Sequence, residues 1–139
     1  MKIDVDKYIG KWFEIARIPN VFQLNMKNVT AEYIREENNT IKVINSGYLN
    51  GELKQIIGVA TTTEKDDLLN VSFFHGVNNE YRILAIDKNY QYALVGGTTP
   101  DYLWILSRTP NITKDTYNAL VNIAKKNGYN VKNLKITES

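Results

Sequence analysis

Six turn signals divide this chain into runs that suit short strands, and that spacing constrains the fold more than any other feature. They are Asn38-Asn39, Asn50-Gly51, Asp66-Asp67, Asn78-Asn79, Lys88-Asn89 and Thr99-Pro100. Asn, Asp and Gly accept the left-handed backbone that tight hairpins need. The runs between them are rich in Val, Ile, Tyr, Phe and Thr, which fit a pleated, half-buried surface. Short strands at fairly even spacing predict an all-β sandwich or barrel.

Alternation along each run assigns its faces. Ala31 and Tyr33 oppose Thr30 and Glu32 in residues 28–37. With Lys42 in water, Val43 and Asn45 turn inward. Leu69, Val71 and Phe73 oppose Asn70 and Ser72, and Tyr81, Ile83 and Ala85 oppose Arg82. Trp12, Glu14 and Ala16 share an inward face by the same count. Two runs, residues 12–18 and 102–107, are apolar on both faces, as strands covered on both sides are. The cover is a helix: Tyr117, Leu120, Val121 and Ala124 follow its i, i+3, i+4, i+7 spacing. Thr113 is placed to cap its start, Asp115 sits in the positive first turn, Lys125 and Lys126 in the last, and Gly128 suits the stop. A short tail strand is expected over residues 131–136. That gives eight main strands, one helix and one tail strand, and eight strands can close into a barrel whose interior either fills with side chains or holds one small ligand. The whole of residues 1–139 is expected to form one domain, with no repeat or linker.

Composition narrows the function. A chain 43% hydrophobic and 23% charged is not intrinsically disordered. Its 17 Lys and Arg against 15 Asp and Glu give a net charge of +2, too balanced to coat nucleic acid. The lack of cysteine excludes disulfides, thiolate metal sites and cysteine nucleophiles. His75 is the only histidine, so no Ser–His–Asp order stands out and haem ligation is disfavoured. Asn28, Asn38, Asn70 and Asn111 match the glycosylation pattern, as an Asn-rich chain does by chance. No cofactor or metal is expected. The N-terminus has no apolar run of signal-peptide length and no cysteine to lipidate, so the chain as written reads as soluble and unanchored.

Three short motifs then occur in order. The first is Gly10-Lys11-Trp12, the second Asp87-Lys88-Asn89-Tyr90, the third Arg108 closing residues 102–108. With them the chain resembles the lipocalins along essentially its whole length, which implies an eight-stranded antiparallel up-and-down barrel with one C-terminal helix packed outside and a short ninth strand. Residues 101–108, 43–48 and 71–74 are most similar to the branch of bacterial lipocalins and apolipoprotein D. That resemblance implies that Gly10, Trp12, Asp87, Tyr90 and Arg108 are structural, with Trp12 plugging one end of the barrel and Arg108 lying over its indole. It also implies a non-enzymatic carrier that holds a small apolar or amphipathic molecule inside the barrel, of the fatty acid or lysophospholipid class. A trimmed member of that branch would belong at the periplasmic or outer-membrane face, or outside the cell.

The candidate ligand wall is Tyr33, Ile56, Phe73, Ile83, Tyr102 and Trp104, with Asn45, Tyr81 and Tyr102 as polar anchors. Each of these also fits a barrel filled by its own side chains. Phe22, Leu24 and Met26 lie in the long first connection, which the resemblance makes a lid at the open end; these apolar side chains are candidates to touch the ligand tail, Phe22 foremost, or a membrane surface. Monomer and homodimer both remain open. Glu14, an inward carboxylate, keeps open a lipid- or isoprenoid-modifying enzyme. A filled barrel acting as a protein-interaction module is the other alternative.

Overall fold

The computed structural model describes residues 3–19, 26–65, 67–72 and 78–138, without the side chains of residues 38, 78 and 79. Eight strands follow in chain order: β1 (Gly10–Arg17), β2 (Lys27–Arg35), β3 (Thr40–Leu49), β4 (Glu52–Thr62), β5 (Leu68–Ser72), β6 (Asn78–Ile86), β7 (Tyr92–Gly96) and β8 (Leu103–Ser107). Each pairs antiparallel with its chain neighbour, and β1 pairs with both β2 and β8, so the sheet closes into a barrel. Closure removes the sheet edges that an open eight-stranded sheet would expose. The one-turn helix α1 (Val5–Tyr8) precedes β1, and α2 (Lys114–Lys126) follows β8.

The turns obey their residues. Asn50 and Gly51 both have positive φ, 52° and 81°, the paired left-handed conformation that matches strand twist in a two-residue hairpin. Helix α2 starts where Thr113 Oγ1 accepts the Thr116 N–H at 3.1 Å. It stops at Gly128, φ 84°, where the Tyr129 N–H bonds the Ala124 carbonyl and the Gly128 N–H bonds that of Lys125.

Two apolar clusters share the barrel wall. Trp12, Ala31, Tyr33, Val43, Ala60, Val71, Ile83, Val95 and Leu106 pack inside. Ile15, Ala16, Leu94, Leu103 and Ile105 face outward, against Leu120 and Ala124 of α2. The doubly apolar runs are therefore the strands that the helix covers.

Three expectations are corrected. Ala16 and Ala85 do not face inward; both belong to the outer cluster. The register shifts between Glu14 and Ala16, and again between Ile83 and Ala85. A β-bulge adds one residue and reverses the alternation beyond it. Residues 131–136 are not one strand: a 3₁₀ turn, Val131–Asn133, leads into β9 (Lys135–Ile136). β1 pairs with β2 only through Gly10–Phe13, and β9 takes up the ladder at Ala16 and Arg17. Beyond it, the Asn28 N–H bonds the Glu138 carbonyl at 2.8 Å, so the tail fills the gap between β1 and β2.

Candidate functional site

One end of the barrel is sealed by the three motifs together. Trp12 is fully buried, and its Nε1 donates to the Tyr8 carbonyl at 2.8 Å. The Arg108 guanidinium lies 3.8 Å from the Trp12 ring centroid, a cation–π pair. Its nitrogens donate to the carbonyls of Tyr90, Lys11, Lys7, Tyr8 and Ile9 at 2.8–3.2 Å. Burial lowers the Arg108 pKa somewhat, against the Tyr8 phenol that raises it. Gly10 has φ 106°, and a Cβ there would stand 3.2 Å from Arg108 Nη1, so both backbone and space require glycine. Asp87 shapes the facing turn: its Oδ1 accepts the N–H of Gln91 at 2.7 Å and of Tyr92 at 2.8 Å. That holds Tyr90 at φ 55°, with its carbonyl on Arg108 and its hydroxyl accepting the Asp4 N–H.

Above this floor the inward side chains form a wall of graded burial. Tyr33 and Ile83 are buried, as are Ala31, Val43, Ala60 and Val71 around them. Asn45, Ile56, Tyr81 and Trp104 face inward in register with buried neighbours yet keep partial exposure. Ala31, Asn45 and Ile56 lie on one rung of β2, β3 and β4, and Val95 and Trp104 on one rung of β7 and β8. Tyr102 stands just before β8 at the open end, 38% exposed, its ring stacked on Trp104 with centroids 6.3 Å apart. The anchor candidates do not converge as one group. Tyr81 joins Tyr33, Tyr102 joins Trp104, and Asn45 sits on a separate rung. Phe22 and Phe73, with Leu24 and His75, fall outside the described residues. Met26 is half-buried over Gly47, where a Cβ would lie 2.6 Å from its terminal methyl.

Tyr81 ties a cluster across the lumen. Its hydroxyl lies 2.5 Å from that of Tyr8 and 2.8 Å from that of Tyr33. Burial pushes Tyr33 up to about 12; the Tyr81 hydrogen bond lowers it and the Glu14 charge raises it. Burial first and Tyr33 second raise Tyr8 and Tyr81 well above the usual phenol value, while the Tyr81 hydrogen bond and Arg108 pull Tyr8 back. Tyr8 was not a candidate from sequence, because its one-turn helix carries no periodic signal.

Sequence reasoning also missed the pair Glu14–Arg17. Three residues apart in a regular strand, they would point to opposite faces. The bulge at Ile15–Ala16 brings both inside, where Glu14 is 7% exposed and Arg17 6%. Arg17 Nη1 donates to Glu14 Oε2 at 2.6 Å, and Thr137 Oγ1 donates to the same oxygen at 2.7 Å. Arg17 Nη2 donates to the Met26 carbonyl at 3.1 Å. Through Thr137, Glu14 is tied to the C-terminal tail. Among the described residues, no three His, Asp or Glu are grouped to hold a metal ion.

A closed antiparallel barrel stoppered at one end by a tryptophan under an arginine, with partly exposed inward residues above it, has the architecture of a β-barrel calyx. The chain belongs to the lipocalin family: the Lipocalin-like domain matches residues 3–139. It is 40% identical over 141 residues to lipocalin R877 of Acanthamoeba polyphaga mimivirus, covering 95% of this chain and 82% of that one. It is 38% identical over 132 residues to the outer membrane lipoprotein Blc of Escherichia coli K12, covering 92% and 75%. Bovine apolipoprotein D is 35% identical over 146 residues, covering 97% and 76%. Lobster apocrustacyanin A1 superposes with a TM-score of 0.80 over 96% of this chain and 78% of that one at 19% identity, which shows the shared fold. Lipocalins typically bind small hydrophobic ligands and are generally carriers rather than enzymes.

Two outcomes follow. Breaking a buried ion pair from one side strands a charge and costs about 3–5 kcal/mol. Glu14→Leu and Arg17→Met should each cost that much in urea unfolding, and the double variant should recover most of it. Additive losses would deny the coupling. The tyrosine cluster predicts the alkaline limit of stability. A phenol whose folded pKa exceeds its unfolded value of 10.0 holds its proton more tightly when folded. Its contribution is intact below pH 10 and is lost as the pH rises through about 12. In a tyrosinate absorbance titration, Tyr8, Tyr33 and Tyr81 should ionise only with unfolding. All nine tyrosines titrating smoothly near pH 10 would contradict this.

Proposed function

We propose that this lipocalin carries an amphipathic lipid of the fatty acid or lysophospholipid class inside its barrel and performs no chemistry on it. The supporting observation is the graded wall. Asn45, Ile56, Tyr81 and Trp104 face inward but are incompletely buried, above a floor that Trp12 and Arg108 close completely. A barrel filled by its own side chains would bury such residues. An apolar wall supplies affinity at about 25 cal/mol per Å² of guest surface removed from water, and a few polar groups set orientation. Tyr33, Ile56, Ile83 and Trp104 are the proposed apolar contacts, with Phe22 and Phe73 as sequence-based candidates. Asn45, Tyr81 and Tyr102 are the proposed polar ones. Glu14 is engaged by Arg17 and Thr137, which favours a structural carboxylate over a catalytic base. Similarity to the outer membrane lipoprotein Blc and to apolipoprotein D supports this reading.

The test is tryptophan fluorescence of the delipidated protein titrated with a lysophospholipid and with a free fatty acid of the same chain. Saturable quenching is expected. In Trp104→Phe the quenching disappears while binding measured by calorimetry persists. Ala31→Trp, which places an indole on the inward rung beside Asn45, should fold and bind at least tenfold more weakly. No saturation with either lipid, or unchanged binding in Ala31→Trp, sinks the proposal.

A further inference from the structure

The tyrosine cluster has one more proton than it has internal bonds. Three phenols carry three hydroxyl protons. Two hydrogen bonds join them, Tyr8 to Tyr81 and Tyr33 to Tyr81. One proton therefore points out of the cluster, and among the described residues no acceptor meets it.

Burial decides which oxygen bears that proton. Tyr8 and Tyr33 are 3% and 4% exposed. If Tyr81 donated to either, that buried hydroxyl would hold a proton with nowhere to go, at the full desolvation cost of an unmade bond. If both donate to Tyr81, its oxygen uses its two acceptor sites and its own proton is directed away. Tyr81 is the member of the three with residual exposure, on the inner face of β6. Its proton then points away from Tyr8 and Tyr33.

The surroundings select what can accept it. Ala31, Val43, Ala60, Val71 and Ile83 make the nearby interior apolar, so a bare anion there would pay heavily in lost hydration. Arg108, below the cluster, has its nitrogens on five main-chain carbonyls. The Arg17 guanidinium is likewise engaged, by the Glu14 carboxylate and the Met26 carbonyl. The phenols themselves stay neutral far above physiological pH.

We infer that Tyr81 donates a hydrogen bond to a neutral oxygen, a carbonyl or hydroxyl, on the part of the guest that lies deepest in the barrel. This rests on the carrier reading and refines it: the head group stays toward the open end, and the buried part of the chain bears oxygen rather than being plain hydrocarbon.

The experiment displaces the apolar fluorophore N-phenylnaphthylamine from the protein with two isosteric guests. One is a saturated long-chain methyl ketone, the other the alkene in which a methylene group replaces the carbonyl oxygen. The ketone should compete about tenfold better than the alkene, as expected for one buried hydrogen bond made or left unmade. Tyr33→Phe should keep that preference, because Tyr81 still accepts from Tyr8 and donates inward. Tyr81→Phe should abolish it, ketone and alkene then competing equally. Equal competition by ketone and alkene in the parent protein overturns the inference and leaves the carrier reading standing. A preference that survives in Tyr81→Phe overturns it as well. If the fluorophore does not bind and neither guest associates, the carrier reading falls first. Should Tyr81→Phe fail to fold, the infrared carbonyl band of the bound, isotope-labelled ketone decides. A band below its position in hexane is the expected result, and an unshifted band refutes the assignment.

Discussion

The guanidinium of Arg108 is the interaction on which the rest of the barrel depends. It lies on the Trp12 indole and gathers carbonyls from the segment around α1 and the start of β1, together with that of Tyr90 from the β6–β7 turn. Charge-assisted bonds to carbonyls are roughly twice as strong as neutral ones, and here one side chain supplies several across gaps of up to 101 residues. Lysine would bring the charge without the planar fork. Gly10 leaves room for the guanidinium, and Asp87 turns Tyr90 so that its carbonyl faces it. Three motifs distant in sequence thus act as one closure. Because the floor is closed from below, space within the barrel can open only at the other end.

The open end is held by different physics. A bulge in β1 turns both Glu14 and Arg17 inward, and their ion pair bonds two further segments of the chain. Thr137 binds the carboxylate from the C-terminal tail, and the Met26 carbonyl binds the guanidinium at the entry to β2. A paired charge in an apolar wall contributes little net stability compared with hydrocarbon, but its bonds are directional. They fix where β9 enters the gap that β1 and β2 leave between them. The same device recurs in β6, where a bulge transfers Ala85 to the helix side and returns Ile86 to the interior.

Much of this was legible in the chain. The turn residues and alternation locate eight strands, and the doubly apolar runs identify the strands beneath α2. Trp12, Tyr33, Ile83 and Trp104 all face inward as alternation requires. What alternation cannot show is a bulge, because one extra residue leaves no composition signal while reversing every side chain beyond it. Ala16 and Ala85 were misplaced for that reason, and Arg17 was overlooked as an inward cation. The tyrosine cluster was half legible. Tyr33 and Tyr81 lie in strands with clear faces, but Tyr8 comes from a four-residue helix, too short for periodicity. The pairing of β9 depends on contacts more than a hundred residues apart, which no local pattern carries.

On the carrier reading, the barrel holds one guest above a sealed floor. Native mass spectrometry of the delipidated protein with a lysophospholipid tests it most directly. One bound lipid per chain, lost in Ala31→Trp while that variant remains folded, is the predicted result. No adduct, or an adduct that Ala31→Trp leaves untouched, would contradict it.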